Sequence, residues 1–98
     1  MPAIALVVEL QLTAGSRARF IARANEHRDN VLTHEPGCQR FDILVPDEGA
    51  DLVLLYEVYA DEAALETHFN TSYMREYLAD TGPMVAERTR RRCGLLGT

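Results

Sequence analysis

Residues 52–69, LVLLYEVYADEAALETHF, are the stretch on which the architecture of this chain turns. Residues 52–59 are rich in Leu, Val and Tyr and read as a strand. Both faces are apolar apart from Glu57, which predicts a central strand covered on both sides. Asp61 then stands at an N-cap position, and Glu62 suits the first helical turn. Ala64, Leu65, His68 and Phe69 share one face of the helix that follows, while Glu62 and Glu66 point away. A strand therefore passes directly into an amphipathic helix. The stretch also poses a chemical question, because His68, one of three histidines, lies on the inward face. A buried imidazole is either a core residue with a satisfied hydrogen bond or the base of an active site.

The chain upstream of this stretch supplies three more elements. Residues 3–12, AIALVVELQL, alternate with Ile4, Leu6, Val8, Leu10 and Leu12 on one face, which predicts a strand. Residues 13–16 signal a turn, with Ser16 as N-cap of a helix over 17–34. Phe20, Ile21, Ala24, Val31 and Leu32 form its apolar stripe, with His27 and Arg28 between them. Glu35-Pro36-Gly37 ends it, since proline disfavours helix before itself and glycine permits a turn. Residues 38–45, CQRFDILV, read as a second strand, and residues 46–51 as an acidic hairpin loop. Downstream, residues 72–80 read as a short helix presenting Tyr73, Met74, Tyr77 and Leu78. Thr81-Gly82-Pro83 breaks it, and residues 84–95 form a last strand in which Arg88, Arg90 and Arg92 alternate with Thr89, Arg91 and Cys93.

The order βαββααβ implies one α+β domain over residues 1–98, a ferredoxin-like antiparallel sheet with helices on one face. The other face is left bare and substantially apolar, and a homodimer packed sheet against sheet would cover it. In the usual strand order the second and fourth strands lie at opposite edges, so Cys38 and Cys93 of one chain are too far apart to bond.

Composition narrows the function. The formal net charge is −5, which argues against a nucleic-acid partner. All ten basic residues are arginine, so Schiff-base chemistry on lysine is excluded. No CxxC occurs and the histidines are scattered, so no metal site is expected. The early apolar run is too short to span a membrane, and the N-terminus lacks a secretory pattern. A cytoplasmic location is the expectation.

The segments EPGCQRFDIL (35–44) and LLYEVYADEAALETHF (54–69) resemble the antibiotic biosynthesis monooxygenase family. The resemblance rests on E-P-G-C-x-x-F-D together with Y-E-x-Y-x-D-x-x-A-x-x-x-H and covers most of the chain. It implies a dimeric α/β barrel built from ferredoxin-like subunits. The family includes cofactor-independent quinol monooxygenases and an isomerase of a phosphorylated autoinducer. Two positions differ from many members: Arg28 stands in place of an asparagine, and Tyr73 in place of a second histidine.

With that resemblance, His68 is the candidate general base and Tyr56 its hydrogen-bonding partner on the strand beneath. If Tyr56 faces the helices, Glu57 faces the dimer interface, where pairing with an arginine is the plainer role. Phe41, Phe69, Tyr73, Met74 and Tyr77 are candidates to wall an apolar pocket, although such stripes are more often plain core. Arg28 is the candidate to meet an anionic substrate. Arg88, Arg90, Arg91 and Arg92 could also bind a phosphate or an acidic ligand, although a solvated edge, or ion pairs across the dimer, is the plainer role. The reading is a cofactor-independent monooxygenase that oxidises a small quinol or polyphenol with dioxygen. The alternatives are an isomerase of a small hydroxyketone phosphate and a non-catalytic ligand-binding dimer.

Overall fold

The computed structural model describes residues 2–97. Strand β1 (Ala3–Leu12) is followed by helix α1 (Arg17–His34) and strand β2 (Cys38–Leu44). Strand β3 (Leu52–Tyr59), helix α2 (Glu62–Phe69) and helix α3 (Ser72–Thr81) come next. A 3₁₀ turn (Gly82–Met84) then leads into strand β4 (Val85–Leu95). The sheet order is β2-β3-β1-β4, with every neighbouring pair antiparallel. This is the expected ferredoxin-like arrangement. Cys38 and Cys93 sit on opposite edge strands, and both are free. No helix among the described residues is long and apolar enough to cross a membrane.

The alternation of β1 sets the layers. Ile4, Leu6, Val8, Leu10 and Leu12 are all buried against the helices. In α1 the buried residues are Phe20, Ala24, His27 and Val31. Their 4-3-4 spacing follows the helical period more closely than the expected stripe, which took in Leu32, now 41% exposed. His27 therefore points inward rather than lying between apolar positions.

Local signals at helix ends are partly as expected. Asp61 caps α2, its Oδ1 accepting from the Ala64 N–H at 2.8 Å. Thr71 caps α3 through the Met74 N–H. Ser16 makes no side-chain cap to α1; its hydroxyl pairs with that of Thr13 at 2.6 Å instead. Gly37 does not adopt a positive φ, so it is not needed for a left-handed turn. A Cβ built on it would lie 2.5 Å from the Ala64 Cβ. The glycine is there to let the start of β2 touch α2.

The facing of β3 reverses the expectation. Glu57 pairs with Leu6, and Leu55 with Val8. Residues directly opposite in an antiparallel pair share a face, so Glu57 lies on the helix side with Leu6. Tyr56, opposite Val7, lies on the open side and packs toward Ala3, Ala5 and Val58. Tyr56 is thus not beneath His68.

Candidate functional site

Between the sheet and the helices lies a cavity of about 200 Å³. Leu6, Val8 and Leu10 of β1, Leu55 of β3, and Met74 and Leu78 of α3 give it apolar walls. Phe41, Phe69 and Tyr77 add aromatic surface, and His27, Glu57 and His68 bring polar atoms to it. Arg88 and Arg90 of β4 complete the lining.

His68 is 1% exposed. Its Nδ1 lies 3.0 Å from Oε1 of Glu35, a carboxylate that is itself buried. The Tyr73 hydroxyl donates to the other oxygen of Glu35. On the far side of the ring, Nε2 is 3.8 Å from Oε1 of Glu57. Tyr59 donates to that same oxygen at 2.6 Å. In the neutral ring, a carboxylate on Nδ1 selects the Nδ1–H tautomer and leaves the lone pair on Nε2. In that tautomer the lone pair lies on the side where Glu57 meets the cavity.

The surrounding groups have shifted acidities. Burial raises the Glu57 carboxyl above the usual range, against the opposing pull of the Tyr59 hydroxyl, His68 and Arg90. The Tyr59 phenol is raised by burial and then by Glu57, so it remains a donor. Tyr73 is raised likewise, by burial and by its bond to Glu35. Burial first, then repulsion from His68 and Arg23, lowers His27 to about 3, so its ring is neutral. It stacks on Tyr77 with centroids 4.0 Å apart and planes 4° from parallel. Its Nδ1 is buried without a hydrogen-bond partner among the described residues. Burial pushes the Cys38 thiol up to about 11, and that thiol donates to the Arg40 carbonyl. A thiol held protonated in this way is a poor nucleophile.

Of the residues singled out in the sequence, His68, Phe41, Phe69, Met74 and Tyr77 meet at the cavity. Tyr73 stands behind it, holding Glu35. Tyr56 lies on the other side of the sheet. Arg28 does not reach the cavity either. Position 28 is turned about a quarter of the way round α1 from inward-facing His27, and its Nε–H donates to the Phe41 carbonyl at 2.6 Å. Glu35, Tyr59 and His27 were not singled out. His27 was recoverable from the 4-3-4 period. Glu35 carries no periodic signal, since it is the residue that ends α1. Among the described residues, no group of three His, Cys, Asp or Glu side chains is arranged to hold a metal ion.

Solved structures share this arrangement of elements. A Caulobacter crescentus CB15 protein bearing the antibiotic biosynthesis monooxygenase name superposes with a TM-score of 0.93 at 23% identity, over 97% of this chain and 91% of that one. A Nitrosomonas europaea protein bearing the same name gives 0.91 at 22% identity, with the same coverage. A Bacteroides thetaiotaomicron protein of unknown function, described as a possible oxidoreductase, gives 0.88 at 20%, over 96% and 98%. No curated protein matches the sequence. At these identities the likeness speaks for the fold. The sequence itself speaks for the family: residues 3–80 match the model of the antibiotic biosynthesis monooxygenases, and the chain belongs to that family.

Proposed function

We propose that this protein is a cofactor-independent monooxygenase that oxidises a small quinol or polyphenol with dioxygen. The observation that carries the reading is the His68–Glu35 pair, which leaves Nε2 as a base at the wall of a largely apolar cavity. Nε2 takes a hydroxyl proton from the bound quinol, and Glu35 stabilises the imidazolium that forms. The quinolate is electron-rich enough to reduce dioxygen. One oxygen atom enters a ring C–H bond, and the other leaves as water with the two hydroxyl protons. The product is a hydroxyquinone. Glu57, held by Tyr59, lies next to the base and is placed to return a proton to the reduced oxygen. The apolar walls orient the anion and keep bulk water away.

The open face of the sheet is the natural seat for a second copy, which would give the homodimer. Val7 is 38% exposed there, beside partly buried Tyr56 and Leu95. Sedimentation at micromolar concentration tests this, and a monomer refutes it.

The reaction is tested by oxygen uptake over a panel of quinols, for wild type beside His68→Ala and Glu35→Gln. Uptake should fall about 10²–10⁴-fold without the base and by less in Glu35→Gln. No uptake with any quinol, or an unchanged rate in His68→Ala, would sink the mechanism. Proton exchange into a hydroxyketone phosphate without oxygen use would point to the isomerase instead.

A further inference from the structure

Strand β4 is an edge strand, yet its helix-side positions face Leu10, Val8 and Leu6 of β1. Positions opposite core residues ordinarily carry apolar side chains. Here they carry Arg88, Arg90 and Arg92. Arg92 is paired with Glu62. Arg88 and Arg90 have no salt bridge among the described residues. Both line the cavity and both are exposed, so they stand where it opens to solvent. The Arg90 guanidinium lies over the Phe69 ring, 4.9 Å from its centroid. Inward-pointing charge is one way to blunt an edge, but it does not call for two guanidinia at a cavity mouth. Glu87 and Arg91 already put charge on the other face of the strand.

Two guanidinia without a salt bridge among the described residues thus stand at the opening of a largely apolar cavity. The carboxyl on its lining, Glu57, is shifted by burial toward its neutral form. In a chain of net charge −5, the two guanidinia make a local positive site. Low-dielectric walls strengthen such a field, and the arginine fork matches a carboxylate in geometry. An engineered cavity of roughly 150 Å³ accepts benzene. The cavity here, at about 200 Å³ with an open mouth, therefore suits one or two fused rings with a substituent projecting outward.

We infer that Arg88 and Arg90 form an anion-binding subsite at the cavity mouth, and that the substrate is a phenol or quinol bearing a carboxylate, its hydroxyl turned inward to His68. This rests on the phenolic chemistry proposed above, and the test separates the two.

Wild type and the Arg88→Gln/Arg90→Gln double variant are titrated calorimetrically with 4-hydroxybenzoate, 6-hydroxy-2-naphthoate and their methyl esters. None of these is a quinol, so binding is read without turnover. Failure of oxygen uptake then bears on the reaction alone. At least one acid should bind wild type about tenfold or more tightly than its ester at low salt. In the double variant the preference should shrink to about twofold or less, with ester affinity retained as evidence of an intact cavity. Equal affinity for acid and ester overturns the proposal. So does an acid preference that survives in the double variant, or the absence of binding by all of these ligands.

Discussion

Replacing His27 with phenylalanine is expected to make the protein more stable, and increasingly so in acid. His27 is 1% exposed, and its buried Nδ1 has no hydrogen-bond partner among the described residues. An unsatisfied buried polar atom costs about 1–3 kcal/mol. Phenylalanine removes that cost and keeps a flat ring against Tyr77, with which His27 now stacks at 4.0 Å. The second contribution depends on pH. His27 titrates at about 3 in the folded chain, against 6.5 for an ordinary histidine. Between those values the unfolded chain binds the proton and the folded chain does not. Wild-type stability therefore falls as pH drops through that window. The slope is about 1.4 kcal/mol per pH unit, so at about pH 4.5 the residue costs roughly 3 kcal/mol more than at neutrality. The variant has no such slope. Its advantage should be about 1–3 kcal/mol near pH 7 and roughly 4–6 kcal/mol near pH 4.5. Urea denaturation followed by circular dichroism at both pH values measures this. A variant less stable than wild type near neutrality, or two pH profiles running parallel, would refute the reasoning.

Glu57→Gln should also stabilise, in the opposite direction of pH. The buried carboxyl keeps its proton above the ordinary value of 4.5, so wild-type stability falls as pH rises from that value to the raised one, where the unfolded chain has ionised and the folded chain has not. Glutamine still accepts from Tyr59. The gain should be on the order of 1 kcal/mol at about pH 8 and vanish near pH 4, while oxygen uptake falls; a loss of stability at the higher pH contradicts this. Gly37→Ala should destabilise by about 1–3 kcal/mol through overlap with Ala64. Adding Ala64→Gly should recover part of that loss, and simple additivity in the double-mutant cycle would dismiss the contact as the cause.

The order of elements was legible because each carries its own local signal: alternation in 3–12, the Glu35-Pro36 stop, and the Asp61 cap. The facing of β3 was not. With Leu, Val and Tyr at both parities, its sequence is nearly symmetric between its two sides. Only pairing with Leu6, a contact distant along the chain, selects the side on which Glu57 lies. Tyr56 was misplaced for that reason. Arg28 misses the cavity because one residue of helical rotation separates it from His27, and an apolar count over α1 does not resolve so small an angle. Glu35 was invisible for a different reason. Its role comes from where a chain reversal leaves its side chain, next to a helix that begins many residues later. For the arginines of β4 the sequence favours a solvated edge over an acidic-ligand site. Their alternation hid the fact that one face of that edge is a cavity wall.

Gly37, just before β2, lies against Ala64 of α2. Glu35 sits two residues before the first, and His68 a helical turn beyond the second. The gap between buried acid and buried base is thus gauged like a shim, by the thickness of a missing methyl group. A larger residue at position 37 would push α2 outward and open the Glu35–His68 hydrogen bond, even though both of its partners were unchanged. Anyone transplanting this pair to another scaffold would have to copy an empty space along with two side chains.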